Sequence, residues 1–230
     1  MSVADSALDV IIDRVRAARA AKTALDIRGG GTKVFYGESP RGELLDMRPL
    51  AGISSYEPSE LVVTARAGTP LAELEAALAE KGQCLPFEPP RFMRASQVGD
   101  AESGRGEASS TPAATLTRTE AAGTVGGMVA AGLAGPARAT AGSVRDHLLG
   151  ASLLNGRGEV LSFGGQVIKN VAGYDVSRVL AGSLGILGVI CEVSLKVLPR
   201  PTATQTLRFE LDEGAALQRI NEWGGQPLPL

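Results

Sequence analysis

Two short glycine runs constrain this chain more than any other feature. The run Gly29-Gly30-Gly31 follows the apolar segment 24–28, and the run Gly123-Thr124-Val125-Gly126-Gly127 precedes another apolar segment. Because glycine has no side chain, consecutive backbone N–H groups in such a run can point into one concavity that attracts phosphate oxygens. The 230 residues include 29 glycines but only 4% aromatic residues. We therefore expect backbone, rather than large side chains, to form the binding surface.

Each loop has neighbours that suit an anion. Thr32 adds a hydroxyl and Lys33 a positive charge to the first loop, and the helix expected after the second loop offers its N-terminus. Together the loops fit a cofactor that contains a pyrophosphate. Neither loop is a known dinucleotide fingerprint, since Val34 stands where G-x-G-x-x-G needs glycine, and no P-loop motif occurs. For each loop alone, a tight turn required only for packing remains an open alternative.

Charge and composition exclude several classes of function. A net charge of -2 gives no basis for nucleic-acid binding, and no apolar run is long enough to span a membrane. Three aspartates within the first 13 residues argue against a signal peptide. Cys84 and Cys191 lack metal-site or disulfide-framework spacing, so we expect no metal site and a cytoplasmic location. A Ser-Asp-His hydrolase is excluded because the single histidine, His147, precedes the candidate Ser183.

Hydrophobic periodicity predicts an α+β fold, because helices and strands mix without a regular βαβ order. Helices are predicted over 3–21, 128–133, 175–180 and 215–223, with another that Thr69 caps, Pro70 begins and Gly82 ends. Strands are predicted over 24–28, 44–47, 61–65, 148–154, 159–163, 189–198 and 207–211. The strand over 189–198 is expected to be half-buried. Residues 93–120 are interpreted as a flexible surface insert, with an ordered lid as the alternative.

Further motifs carry a family resemblance. The GGGT run with Tyr36-Gly37, followed by 58–63, 68–74 and Leu85-Pro86, resembles the flavoproteins of the vanillyl-alcohol oxidase (PCMH-type) family. The later segments 142–146, 169–175 and 181–190 closely resemble the FAD-binding E subunits of bacterial glycolate oxidase, also called glycolate dehydrogenase. The resemblance covers residues 25–223 apart from 93–120.

The resemblance implies a PCMH-type FAD-binding fold of two α+β subdomains. The first comprises residues 1–65 and the second residues 66–200, with the insert 93–120 inside the second. Residues 201–230 then begin a C-terminal cap region, and most of the cap domain of the relatives is absent. A fragment and a truncated gene product both remain open as reasons.

The same resemblance assigns the site residues and the cofactor, FAD. The pyrophosphate would be held by Arg28, Gly29, Gly30, Gly31, Thr32 and Lys33, with Gly37 and Pro86 in the same site. The flavin and ribityl side would be lined by Gly123, Thr124, Gly126, Gly127, Ser143 and Asp146. The adenine half would lie near Gly188 and Ile190. The first loop has no histidine or cysteine for a covalent link, so we expect non-covalent binding. Cys191 replaces the usual threonine, and this loss of a hydroxyl is expected to weaken one cofactor contact.

The implied function is that of the FAD-binding subunit of a complex that oxidises glycolate, or another small 2-hydroxy acid. Electrons would pass to a second flavin subunit and an iron–sulfur subunit, and the complex would lie in the cytoplasm or at the inner face of the cell membrane. Two alternatives stay open: a non-catalytic assembly subunit with a vestigial flavin site, and a stand-alone FAD oxidoreductase for another hydroxylated substrate. No catalytic residue is assigned.

Three side chains have two interpretations each. His147 is expected to be structural beside Asp146, with a general base as the alternative. Tyr174 and Lys169 would face the flavin or an electron-accepting partner, although Tyr174 could equally be a buried tyrosine.

Overall fold

A computed structural model describes residues 3–39, 41–92, 123–165 and 174–226 of the chain. The helices are α1 (Val3–Ala21), α2 (Leu71–Glu80), α3 (Val125–Ala131), α4 (Arg138–Ala141), α5 (Val144–His147), α6 (Val176–Val179) and α7 (Glu213–Gly224), with one 3-10 turn at Pro58–Glu60. The strands are β1 (Leu25–Arg28), β2 (Glu43–Asp46), β3 (Ile53–Glu57), β4 (Val62–Arg66), β5 (Gln83–Cys84), β6 (Leu148–Leu154), β7 (Val160–Gly164), β8 (Val189–Lys196) and β9 (Leu198–Pro199). The insert expected over 93–120 and the motif from Lys169 to Gly173 lie outside the described residues.

A five-stranded antiparallel sheet forms the centre of the molecule, with the strand order β3-β4-β8-β6-β7. The central strand β8 pairs with β4 and β6 and is almost wholly buried, so the prediction of a half-buried strand is wrong. Its polar residue Ser194 is buried because its hydroxyl lies 2.9 Å from that of Thr64 on β4. A satisfied hydroxyl pair allows a polar residue on a buried face, and only the neighbouring strand reveals it.

Helices cover the sheet on both faces. One core cluster joins α2 and α3 to the sheet through residues such as Leu74, Leu78 and Val129. The second cluster packs α1 and β2 against β6 and β8. Ile190 belongs to the first cluster and Cys191 to the second, and successive side chains of a strand point to opposite faces. The predicted α+β class is confirmed.

A small parallel pair, β1 and β2, leads into the first glycine run. Leu25 pairs with Glu43 and Arg28 with Asp46, so β1 ends where Gly29 begins. The subdomain boundary predicted between residues 65 and 66 falls inside β4, and the five-stranded sheet combines strands from both sides of it. The proposed division into subdomains therefore stays a prediction.

Two local predictions are wrong. Thr69 does not cap α2; its hydroxyl bonds the backbone N and O of Gly52, and Pro70 takes the cap position. Residues 207–211 form no strand, because no strand in the described part of the chain lies beside them. Within the same described ranges, no helix is long and apolar enough to cross a membrane.

Candidate functional site

The two glycine runs meet in the folded chain, although more than ninety residues separate them in sequence. A Cβ atom placed on Gly29 would lie only 2.1 Å from Oγ1 of Thr124, so any side chain at position 29 would collide with the second run. Gly31 has a φ of +68°, a backbone conformation that side chains disfavour. The absence of side chains in the first run is thus required both by the turn and by the approach of the second run.

Lys33 lies where the two runs meet. A Cβ atom placed on Gly123 would be 3.8 Å from its Nζ and 3.5 Å from Oγ1 of Thr32. Burial lowers the pKa of Lys33, and within the described ranges no carboxylate forms an ion pair with it. The ring of Phe92 lies 5.9 Å from Nζ. Burial removes water that would stabilise the charge of Lys33. A bound anion would stabilise that charge in place of the water.

The second run begins α3, and its N–H groups bond within the protein. The amide of Val125 donates to the carbonyl of Thr69 at 2.9 Å, and that of Gly126 donates to Ala67 at 2.8 Å. Oγ1 of Thr124 accepts from the amide of Gly127 at 3.2 Å. These three donors of the helix N-terminus are therefore engaged within the protein, and its contact with a second anionic or carbonyl group stays a prediction. A Cβ atom placed on Gly126 would lie 2.6 Å from Cβ of Ala67, and this close contact explains why position 126 is a glycine.

A third segment, 182–188, borders the first run. A Cβ atom on Gly37 would be 3.2 Å from Cδ1 of Leu184, and one on Gly185 would be 3.3 Å from Cδ1 of Ile27. Gly182, Leu184 and Gly185 all have positive φ, which makes this segment a tight, irregular turn. The structure thus brings all three glycine-rich segments together, as the family motifs imply.

Exposed apolar side chains occur on two of these segments. They are Val34 (54% exposed), Phe35 (62%), Leu184 (48%), Ile186 (85%) and Leu187 (47%). Exposed apolar side chains next to a charged loop form a candidate surface for a flat ring system. The sequence analysis did not name them as candidates. The available signal was their position, directly after Lys33 and between Gly182 and Gly188, where neither a helical nor a strand period explains them.

Gly188 and Ile190 are held firmly by the sheet. A Cβ atom on Gly188 would be 2.8 Å from the carbonyl oxygen of Leu154, so this glycine is explained by packing on β6. The side chain of Ile190 lies in the first core cluster and is 6% exposed. A cofactor could reach Ile190 only through its backbone. The contact of either residue with adenine remains a prediction.

Ser143 and Asp146 bond to each other rather than to a glycine run. The amide and hydroxyl of Ser143 donate to Oδ2 of Asp146 at 2.8 and 2.9 Å, which forms a capping box on α5. These two hydrogen bonds, the backbone one first, lower the pKa of Asp146. A ligand could therefore meet a carboxylate that is already charged and fixed in direction.

His147 is enclosed next to this turn. It is 6% exposed, its Nε2 lies 2.8 Å from the carbonyl oxygen of Ala141, and its ring centroid is 5.6 Å from that of Phe87. Because a carbonyl oxygen only accepts, Nε2 must carry the proton. The buried Nδ1 has no hydrogen-bond partner. These contacts support the structural interpretation of His147.

Pro86 and Tyr174 complete the predicted set. Pro86 is half-buried between the buried residues Leu85 and Phe87, and the following Glu88 has a strained φ of +48°. Oε2 of Glu88 accepts a hydrogen bond from the amide of Ala137 at 2.9 Å, a role that the sequence did not reveal. The alternative interpretation, a buried Tyr174, is wrong, since the side chain is 95% exposed; its contact with the flavin or a partner stays a prediction.

Two other features lie apart from the glycine runs. A cavity of about 550 Å³ lies along the outer face of α2, lined by residues that include Glu75, Cys84 and Arg200. Cys191 packs beneath α1 with its Sγ 3.5 Å from the carbonyl oxygen of Val189, so its side chain occupies the core. Among the described residues, no group of three or more histidine, cysteine or acidic side chains could hold a metal ion.

Comparison with known proteins supports FAD as the cofactor of this chain. The family model described as FAD binding domain matches residues 6–114, which include the first glycine run. The chain is 46% identical over 220 residues to the glycolate oxidase subunit GlcE of Escherichia coli K12, covering 96% of this chain and 55% of the relative. The FAD cofactor and the resemblance to glycolate oxidase subunits predicted from the motifs are confirmed.

Two relatives of lower identity are a glycolate oxidase subunit and a dehydrogenase. The chain is 26% identical to the glycolate oxidase subunit GlcD of Bacillus subtilis 168, over 78% of this chain and 33% of the relative. It is 25% identical to a D-2-hydroxyglutarate dehydrogenase of Xanthomonas citri pv. viticola, over 90% of this chain and 38% of the relative. The chain therefore spans about half or less of the length of these relatives.

Proposed function

We propose that this chain, whose residues 6–114 match the model of an FAD binding domain, is the non-covalent FAD-binding subunit of an oxidase or dehydrogenase complex for glycolate or a related 2-hydroxy acid. One observation carries this proposal. The two glycine runs meet around Lys33, a partly buried cation for which the described residues supply no carboxylate. A pyrophosphate is the group of FAD whose charge fits this position.

The residues present fit the cofactor in two parts. The first glycine run, with Thr32 and Lys33, would hold the pyrophosphate through backbone N–H groups, a hydroxyl and a charge. The exposed apolar side chains of 34–35 and 184–187 would cover a ring system and exclude water from it. When bound, FAD supplies the hydride acceptor for the carbon that bears the substrate hydroxyl.

Non-covalent binding follows from where the nucleophilic side chains lie. The single histidine of the sequence, His147, is buried with its Nε2 bonded to Ala141. Cys191 is buried beneath α1, and Cys84 borders the separate cavity along α2. None of the three lies on a glycine run. We therefore expect acid precipitation to release the flavin into the supernatant, whereas yellow colour that stays in the pellet would show a covalent link.

The substrate and partners of the complex are proposed from the relatives. Two of the relatives are glycolate oxidase subunits, which indicates a multi-chain enzyme. We propose a second flavin subunit and an iron–sulfur subunit as partners, with association at the inner face of the cell membrane through them. The strongly exposed Tyr174 is a candidate for contact with a partner.

A second candidate is a non-catalytic assembly subunit with a vestigial flavin site. The engaged N–H groups of α3 favour it, because they leave fewer donors for a cofactor than the sequence predicts. The flavin absorption of the purified chain separates the two candidates: near-stoichiometric FAD supports the first, and a colourless chain that FAD cannot reconstitute supports the second.

Lys33→Gln tests the observation that carries the proposal. Loss of a charge-assisted contact to phosphate should weaken FAD binding about tenfold or more. The wild-type affinity should also fall as pH rises through the pKa of Lys33, since only the protonated form attracts phosphate and burial sets this pKa below 10.5. Lys81→Gln is a matched control on an exposed lysine at the end of α2. Fluorescence titration with FAD measures both variants, and equal affinities would contradict the assignment of Lys33.

A further inference from the structure

Arg28, the residue directly before the first glycine run, is paired with a carboxylate of its own strand. Asp26 and Arg28 are two positions apart on β1, so their side chains lie on one face of the strand. Nη2 of Arg28 donates to Oδ2 of Asp26 in an ion pair whose side chains are only 34% and 13% exposed. The charge of this guanidinium is therefore neutralised within the chain.

The aliphatic stem of Arg28 lies against the turn that the glycine run makes. Gly31 has a φ of +68°, and a Cβ atom placed on it would lie 3.5 Å from Cδ and 4.0 Å from Cγ of Arg28. The backbone of Arg28 is fixed as well, since its carbonyl oxygen accepts a hydrogen bond from the amide of Met47 at 2.9 Å. Arginine stems pack along a neighbouring surface while the charged head group pairs elsewhere. The stem thus supports the turn at Gly31.

Lys33, the other cation of the first run, has the opposite surroundings. Within the described ranges no carboxylate pairs with it. Its Nζ lies toward the second run, 3.8 Å from the position that a Cβ atom on Gly123 would take. An anion at the junction of the two runs would therefore meet the charge of Lys33, whereas the charge of Arg28 is already compensated.

We propose that Arg28 is a positioning residue of the FAD site and not a ligand of the phosphates. Asp26 fixes its head group, and its stem holds the turn at Gly31 so that the N–H groups of the run face the cofactor. Since this role assumes that the run receives the pyrophosphate of FAD, it rests on the proposed function. The family resemblance instead places Arg28 among the residues that hold the pyrophosphate. To bind phosphate, Arg28 would have to leave the largely buried Asp26 unpaired, which is unfavourable for a carboxylate.

Two double variants remove the ion pair without changing the net charge. Asp26→Asn with Arg28→Met keeps an unbranched stem against Gly31, and Asp26→Asn with Arg28→Ala removes the stem. The methionine variant should bind FAD within about threefold of wild type, and the alanine variant about tenfold more weakly, because only the latter loses the support of the turn. Fluorescence titration with FAD at several salt concentrations measures both.

The dependence of FAD affinity on salt separates positioning from phosphate binding. Both double variants should keep the wild-type dependence, because neither loses a charge that meets the phosphates. Lys33→Met keeps its stem but loses such a charge, so it should bind more weakly and depend less on salt. Arg208→Met with Glu210→Gln is the matched control, because it removes an exposed ion pair of the same spacing, and it should bind FAD as wild type does. Urea unfolding shows that each variant is folded under the conditions of the titration.

Three results would overturn the positioning role of Arg28. They are equal weakening of the two double variants, a flatter salt dependence in the methionine variant, and wild-type affinity in the alanine variant. In each of them the wild-type chain still binds FAD, so the proposed function would stand. A folded wild-type chain that FAD cannot reconstitute would instead refute the proposed function, and with it the role of Arg28.

Discussion

At the scale of single residues, the site depends on positions where no side chain fits. Gly29 must lack a side chain because Oγ1 of Thr124 occupies the position of its Cβ atom, 2.1 Å away. That oxygen cannot easily move, since it accepts the hydrogen bond that caps α3. The sequence reveals the glycine, but its contact partner is distant along the chain. The loop could therefore be predicted from the sequence, whereas the contact that requires glycine at position 29 could not.

Gly29→Ala should reduce both stability and FAD binding. Overpacking of a close contact typically costs about 1–3 kcal/mol, and the displaced Thr124 would also lose its capping bond. Urea unfolding measures the change in the free energy of unfolding. Gly156→Ala is the control, because a Cβ atom there meets nothing within 4 Å. If the two substitutions had equal effects, the contact between the runs would not be stabilising.

The two cysteines should react at very different rates. Burial raises the pKa of Cys191 to about 11, while Cys84 is half-buried with a pKa that burial raises less far. At pH 8 only about one Cys191 side chain in a thousand would be a thiolate, which is the reactive form. A thiol-reactive dye should therefore label Cys84 first and Cys191 only on unfolding. Labelling followed by peptide mass spectrometry checks the order, and the reverse order would contradict the placement of Cys191 beneath α1.

At the scale of elements, the sequence predicted what its local period encodes. The helix over 3–21, the strands β6 and β7 and the short helix α6 all follow from local signals. The burial of β8 did not, because it depends on strands that flank it from distant parts of the chain. The segment 207–211 shows the same dependence on neighbours. It has the alternating pattern of a strand but forms none, since no neighbouring strand pairs with it in the described part of the chain.

The capping box of α5 should make stability depend on acid pH. The pKa of Asp146 is lowered in the folded chain, so its contribution is fully present above the unfolded value and is lost as pH falls through the folded value. Asp146→Asn should cost about 0.5–1 kcal/mol at neutral pH, the lower part of the capping range because the carboxylate is exposed. The difference from wild type should shrink as pH falls below the usual range of an aspartate, because protonation removes the charge that accepts both hydrogen bonds.

Urea unfolding at a series of pH values measures this dependence. Asp9→Asn serves as the control, since it removes an exposed carboxylate from α1 without breaking a capping box. A pH-independent difference between wild type and Asp146→Asn would mean that the carboxylate charge does not act through the cap.

At the scale of the whole molecule, the glycine runs lie at the junction of two layers. The first follows β1 of the parallel pair, and the second begins α3, which packs on the central sheet. The FAD binding domain could be recognised from motifs that surround this junction. Substrate specificity could not be assigned to residues, because the chain spans only 55% of the glycolate oxidase subunit that it resembles at 46% identity.

The proposed dependence on partner subunits leads to a prediction about activity. We expect the purified chain to retain FAD yet to show no glycolate-dependent reduction of an artificial electron acceptor, because its site supplies cofactor contacts but no assigned group to remove the substrate's proton. Co-purification with the other subunits of a glycolate oxidase should restore turnover. In that complex Lys33→Gln should lower the rate and Lys81→Gln should not. Robust turnover by the isolated chain would contradict the dependence on partners while leaving the FAD site intact, whereas a restored complex insensitive to Lys33→Gln would place the active flavin in another subunit.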